Sequence, residues 1–401
     1  MLQLEDARNR ILSEIKPGPA EPTPLNEAFL RVAAETVRAG IDLPSFDNSA
    51  MDGYAVQSRD IAGASAESPR SLVLQGTVAA GGVFAGKLQP GYCIRIFTGS
   101  PLPEGADAVV MQEDTRASLE NPSTVTFLDT AKPWENIRLR GGDIRRDSIA
   151  IAPGETVTAG KLALLGALGV RELLTARRPI VAVMATGSEL KEPGASLEPG
   201  QIFESNRLAL AAMISSAGGI PRIFPLVEDQ MAKTVAALEQ GLAECDLLVT
   251  SGGVSVGEFD FVKSAWEKLG GELGFWKVAM QPGKPFVFGR RGDKFLFGLP
   301  GNPVSAAVTF LVLVRPAVRR WLGAIDLDVR RLRGTLAEPL VNRGDRRHFM
   351  RVVLSSEGEV RSAGVQSSHA LNSWSRANGL VEAPPKTNLP EGSQVLVLPL
   401  D

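Results

Sequence analysis

The chain is predicted to be a multidomain α/β plus β protein, and three observations carry that prediction. Between residues 177 and 326, apolar strand-like runs alternate with segments of helical period, as in a mainly parallel sheet covered on both faces. Residues 47–138 and 327–401 are instead short β runs broken by glycine and proline turns. Helical patterns flank the first of these β regions. At 401 residues the chain exceeds one compact core, so several domains are expected. The division is a discontinuous helical linker domain (1–46 and 139–176), an inserted β-rich domain (47–138), a three-layer α/β domain (177–326) and a small barrel-like β domain (327–401).

The elements follow in order. Leu4, Ala7, Ile11 and Ile15 share one face of a first helix. After "KPGPAEPTP", Leu25, Phe29, Val32 and Val37 predict a second helix, with Gly40 as its terminator. "SLVLQGTVAAGG", "GYCIRIFTGS", "GADAVVMQED" and "STVTFLD" read as strands, and "LALLGALGV" as helix. "IVAVMA" is a fully buried type of strand. "SNRLALAAMISSAGG" is a helix with Ser205 as N-cap, and "PRIFPLV" a strand. "DQMAKTVAALEQGL" is a helix capped by Asp229, and "DLLVT" another strand. "FDFVKSAWEKLG" turns Phe259, Val262, Trp266 and Leu269 inward. "GFWKVAM", "PFVFG" and "FLFGL" are strands, and the last helix of the domain starts with Pro303 at its first position.

Composition excludes several functions. Lys plus Arg number 43 against 45 Asp plus Glu, a net charge of −2, which gives nucleic acid no electrostatic claim. Two cysteines, Cys93 and Cys245, make no disulfide framework and fit a reducing compartment. "MLQLEDARNRILSEI" carries charge throughout and is no signal peptide. No apolar run approaches a membrane span, so the expectation is a cytoplasmic protein without a membrane partner. The two histidines, His348 and His369, lack ligand spacing, which argues against zinc and against a Ser-His-Asp mechanism. Carboxylates, lysines, arginines and backbone amides must carry any chemistry.

Ligands of open α/β sheets bind beyond the carboxyl ends of the strands. Those ends carry Thr186, Gly187 and Glu189; Glu228 and Asp229; "SGGVSVGEFD"; and "PGNPVSA". Gly252 and Gly253 let the backbone approach a ligand, with their amides toward it, and such a loop suits phosphate. The carboxylates would repel bare phosphate unless a divalent cation lies between. Glu189, Asp229 and Asp260 come from three strand ends and could converge on one hard cation such as Mg²⁺. Taken singly, each feature has an ordinary explanation: a turn glycine, an N-cap, a first-turn acid. Four polar loops on one sheet favour a site. Lys277 and Lys284 in "KVAMQPGKP" are candidate cations for an oxyanion, or solvated hairpin lysines.

Together and in this order, "DNSAMDGYAV", "TGSPLPEGADAVVMQED", "GGDIRR", "TGSEL", "SNRLAL", "SGGVSVGEFD", "QPGKPFVFG" and "GLPGNPVSA" resemble the molybdopterin molybdenumtransferases, the molybdenum insertases. This family includes bacterial MoeA and the E domain of gephyrin. "SWSRANGLVEAP" is similar to the family's final domain. The resemblance implies a molybdopterin-binding type of α/β domain and the last step of molybdenum cofactor synthesis. In that step molybdate is inserted into adenylylated molybdopterin, with Mg²⁺-dependent release of AMP, by a homodimer. Other cofactor-biosynthesis proteins would be further partners.

The same resemblance implies residue roles. Glu189, Asp229 and Asp260 would hold Mg²⁺. Thr186, Gly187, Ser251, Gly252, Gly253, Ser255, Pro300, Gly301 and Asn302 would hold the pterin nucleotide. Lys277, Lys284, Ser305, Arg351 and Ser373 fall where the oxyanion contacts would be. Asp52 and Thr98 resemble residues that complete the cleft from a partner subunit. Gln281 replaces a lysine found in some members, and Ser188 an aspartate. Two other readings compete: an adenylyltransferase on the same type of sheet, which would lack the flanking domains, and a gephyrin-type scaffold or binder.

Overall fold

The computed structural model describes residues 1–79, 81–117, 122–254 and 261–400. These fold as two compact units: Thr36–Ala152 with Ala159–Glu172, and Met1–Glu35 with Pro153–Thr158 and Leu173–Asp401.

The smaller unit is built on a six-stranded sheet ordered Ala108–Met111, Gly53–Val56, Tyr92–Ile96, Arg70–Thr77, Thr124–Phe127 and Thr115–Ala117. Val56, Leu72, Cys93, Val110, Val125 and Phe127 pack into one of its cores. A helix, Ala159–Ala167, buries Leu165.

The larger unit contains the α/β layer. Its strands are β1 (Ile180–Ala185), β2 (Ile220–Ile223), β3 (Leu247–Ser251), β4 (Glu272–Trp276), β5 (Val287–Arg291) and β6 (Lys294–Leu299). They lie in the order β2-β1-β3-β6-β5-β4. The first four are parallel, and β5 runs antiparallel to both neighbours. Alternate side chains leave opposite faces of a strand. Val181 and Val183 of β1 therefore join one core with Val249 and Phe297, while Ala182 and Met184 join the other with Leu248 and Leu296. Helices α1 (Asn206–Ser216) and α4 (Pro303–Thr309, continued as helix to Trp321) cover the first face. Helices α2 (Met231–Glu244) and α3 (Val262–Lys268) cover the second. The N-terminal helix Leu4–Glu14 adds Leu4, Ala7 and Ile11 to the first core.

Residues 332–399 close a barrel. Strands β7 (Leu332–Leu336), β8 (Arg347–Leu354), β9 (Glu359–Ser362), β10 (Gly379–Ala383) and β11 (Gln394–Pro399) pair in a ring: β8 with β9 and β10, β10 with β11, β11 with β7, and β7 with β9. Met280–Gln281 add to β8 in parallel. A short helix, α5 (Leu371–Arg376), precedes β10.

The second expected helix does not form. Ala20–Pro24 is a strand paired with Glu172–Ala176, and only a single 3₁₀ turn follows at Leu25–Glu27. The Arg31 guanidinium donates to the Ala176 carbonyl, and Thr23 bonds Thr175 at 2.7 Å. Four prolines before Leu25 and these long-range pairings outweigh the apolar spacing. Phe29 is exposed and Gly40 ends no helix. Both cysteines are free and buried, and burial pushes the thiol of Cys93 up to about 12 and that of Cys245 to about 11. Among the described residues, no helix is long and apolar enough to cross a membrane.

Candidate functional site

The carboxyl ends of β1, β3 and β6 are level. Ala185 pairs Ser251, and Ser251 pairs Leu299. The three loops that follow therefore start side by side: Thr186–Gly187, Gly252–Gly253 and Pro300–Gly301–Asn302. A fourth joins them through the Thr186–Val227 bridge and leads to Asp229. Together they line a cleft of about 690 Å³.

Close backbone packing builds this floor. Gly252 has φ +90° and Gly253 φ +67°. A Cβ on Gly252 would lie 2.5 Å from the Thr186 carbonyl oxygen, and one on Gly253 would lie 2.8 Å from Thr186 Oγ1. Only glycine fits such positions. The Gly252 amide donates to the Leu299 carbonyl at 3.1 Å. That corrects the expectation that both glycine amides face a ligand: Gly252 lets the end of β3 approach Thr186 after β1, and its amide ties β3 to β6. Thr186 Oγ1 is buried at the same place without a hydrogen-bond partner among the described residues.

Asn206, at the start of α1, ties two loops together. Its amide nitrogen donates to Ser251 Oγ at 2.8 Å and to the Gly301 carbonyl at 2.7 Å. The Ser251 hydroxyl in turn donates to the Pro300 carbonyl at 3.2 Å. Ser205 and Asp229 are not side-chain caps of their helices. Asp229 instead accepts the Ser188 amide at 2.9 Å, while its own amide donates to Ser188 Oγ at 3.1 Å. This reciprocal pair fixes the Asp229 carboxylate beside the loop that carries Glu189.

The cleft's charges are unequal. Its described lining includes Glu189, Asp229 and Glu204, and no lysine or arginine. Glu204 is buried and neutralised by Arg207, whose backbone and side-chain N–H groups reach it at 2.9 Å. Glu189 and Asp229 remain uncompensated. Oxygen donors of this kind suit a hard divalent cation. No cluster of three or more metal-ligating side chains occurs among the described residues. Asp260 and Ser255 lie outside the described residues.

Of the other expected residues, Lys277, Lys284, Ser305, Arg351 and Ser373 do not line this cleft. Lys277 Nζ sits 3.7 Å from the Trp276 ring centroid. Lys284 is exposed in the turn after Pro282, and the next residue, Pro285, reaches the cleft wall. Ser305 is buried in α4. Arg351 is fully buried with no carboxylate paired to it among the described residues. Its Nε donates to Ser373 Oγ at 2.9 Å, and its Nη2 to the carbonyls of Val365 and Ser367 at 2.6 and 3.0 Å. Nη1 has no partner, and burial pulls the guanidinium below the usual arginine range. In the smaller unit, Thr98 gives two hydrogen bonds of 2.8 Å to Asp52 Oδ1, which hold that carboxyl below its ordinary range.

Known proteins place this geometry. Residues 2–169 match the model for the MoeA N-terminal region (domain I and II), 182–320 that for a probable molybdopterin binding domain, and 333–400 that for the MoeA C-terminal region (domain IV). The molybdopterin molybdenumtransferase of Haemophilus influenzae is 36% identical over 100% of this chain and 99% of its own length. The chain belongs to the molybdopterin molybdenumtransferase family. This membership makes it a transferase of molybdenum cofactor biosynthesis. Molybdopterin molybdenumtransferase 2 of Mycobacterium tuberculosis is 40% identical over 90% of both chains. The solved molybdopterin biosynthesis MoeA protein of Pyrococcus horikoshii superposes with a TM-score of 0.85 at 27% identity, covering 99% of each chain.

Sequence reasoning missed three features of this transferase's cleft. Asn206 was visible only as a polar residue opening a helix after a strand. Glu204 and His369 also line the site. Nothing in the spacing of two isolated histidines pointed to it.

Proposed function

We propose that this transferase inserts molybdate into adenylylated molybdopterin and releases AMP in a Mg²⁺-dependent reaction. The observation that carries the proposal is the pairing of a phosphate-type cradle with two uncompensated carboxylates in one cleft. Such a cleft repels a polyphosphate alone and accepts one that arrives with a divalent cation. Glu189 and Asp229, with Asp260 from the adjoining loop, are the residues that would hold Mg²⁺. When bound, Mg²⁺ would neutralise charge on the pyrophosphate as its anhydride opens.

The chain's own residues orient the substrate. Thr186, Gly187, Ser251, Gly253, Pro300, Gly301 and Asn302 take the pyrophosphate and the ribose against the level loop ends, and Ser255 joins them on the strength of the resemblance. The buried Arg351 supports an oxyanion role, because it has no carboxylate partner and one nitrogen without a hydrogen bond. Ser373 acts through Arg351, since its hydroxyl proton is committed to the Val365 or Ala370 carbonyl. Lys277, Lys284 and Ser305 join Arg351 as molybdate contacts on the strength of the resemblance. The same holds for Asp52 and Thr98 in the reaction, for the homodimer and for other cofactor-biosynthesis partners; a cytoplasmic location is proposed from the two free cysteines and the charged N-terminal sequence.

Calorimetry of AMP binding tests the reading. AMP should bind in the presence of Mg²⁺ and lose about tenfold or more in affinity when EDTA replaces it. Equal affinity with and without Mg²⁺ would contradict the assignment of the carboxylates.

A further inference from the structure

Within the cleft of the proposed reaction, one described lining side chain can carry a positive charge, and it is His369. It belongs to the segment 364–370 that links the barrel to α5. That segment is built onto the site rather than draped near it. Arg351 holds the Val365 and Ser367 carbonyls from below. Gln366 exchanges two hydrogen bonds with the Arg351 backbone, at 2.8 and 2.9 Å. Ser368 then docks on the start of α4: its carbonyl accepts the Val304 amide at 3.1 Å, and its hydroxyl accepts Asn302 Nδ2 at 3.0 Å. Asn302 and Pro303 themselves line the cleft. The next residue, His369, is thereby placed at the wall with its ring exposed. Its Nε2 lies 3.4 Å from Ser367 Oγ.

We propose that His369 is a substrate-binding residue, donating from its imidazolium to an anionic oxygen of the nucleotide phosphate in the cleft. The proposal rests on the reading above, and it names the side chain that adds positive charge where the lining otherwise supplies carboxylates. The charged groups around it are Glu189 and Asp229 in the cleft, Glu204 paired with Arg207, and Arg351 beneath the loop.

The test is AMP binding with saturating Mg²⁺, measured by calorimetry for the wild type, His369→Ala and His369→Gln. The variant-to-wild-type ratio of affinities is the quantity read. The alanine variant should bind about tenfold more weakly. Glutamine, which keeps a donor without charge, should fall between the two. Because His369 is exposed, both variants should melt as the wild type does. Ratios of one for both variants would overturn the role of His369 while leaving the Mg²⁺-dependent binding of the wild type standing. Failure of the wild type to bind AMP with Mg²⁺ would remove both.

Discussion

The α-carbon of Gly252 lies so close to Thr186 that a methyl group there would meet the Thr186 carbonyl oxygen at 2.5 Å. This contact holds the ends of β1 and β3 level, and the Gly252 amide holds β3 to β6 through Leu299. Gly252→Ala combines that overlap with a left-handed backbone at φ +90°. It should cost about 1–3 kcal/mol of stability. AMP affinity should fall about tenfold or more, because the loops no longer start together. An alanine variant with unchanged melting temperature and unchanged affinity would show that the cradle does not depend on this contact.

Glu189 is exposed and makes no side-chain hydrogen bond or ion pair among the described residues, so Glu189→Gln removes charge without removing support. Stability should stay within about 0.5 kcal/mol of wild type. The Mg²⁺ concentration giving half-maximal AMP release should rise about tenfold, and excess Mg²⁺ should restore part of the rate. Superimposable Mg²⁺ titrations of variant and wild type would exclude Glu189 as a ligand.

Arg351 organises the loop that carries Ser368 and His369. Arg351→Met leaves the Val365 and Ser367 carbonyls without this donor, at a cost of about 1–3 kcal/mol. The molybdate concentration for half-maximal turnover should rise more than tenfold in this variant, while Ser373→Ala, which removes one support of the guanidinium, has a smaller effect. An Arg351→Met enzyme with wild-type molybdate dependence would remove Arg351 from the oxyanion contacts.

His348 gives the barrel an acid limit. It is buried with Nε2 unpartnered, and burial, reinforced by Arg351 and Arg346, lowers its pKa from 6.5 to about 4. At neutral pH the imidazole is uncharged in both folded and unfolded chains and contributes nothing to pH dependence. As pH falls below about 6.5 the unfolded chain takes the proton first, so stability drops until about pH 4. Urea midpoints measured from pH 7 to pH 4.5 should fall less steeply for His348→Leu than for wild type. Parallel curves would mean that His348 does not set the acid limit.

The α/β layer was legible because its central strands β1, β3 and β6 are buried and mostly apolar on both faces and the crossover helices have their own period. Pro303 at the start of α4 and Val262 and Trp266 of α3 sit where the pattern puts them. The loops at the strand ends were legible by the same logic, since a parallel sheet must deliver them to one edge. The segment after Leu25 was not, because its backbone bonds to residues more than a hundred positions away, and apolar spacing records nothing about such partners. His369 was invisible for a related reason. It reaches the cleft through Ser368 and Asn302, a contact 66 residues apart in sequence. The commitment of the Gly252 amide to Leu299 depends on strand register, which glycine content alone does not reveal.

The most direct measurement is AMP release from adenylylated molybdopterin by the purified protein with Mg²⁺, with and without molybdate, beside Asp229→Asn. The account predicts molybdate-dependent release of AMP by the wild type and a loss of about a hundredfold or more in the variant. A folded wild-type protein that binds the nucleotide with Mg²⁺ but releases no AMP when molybdate is added would contradict it.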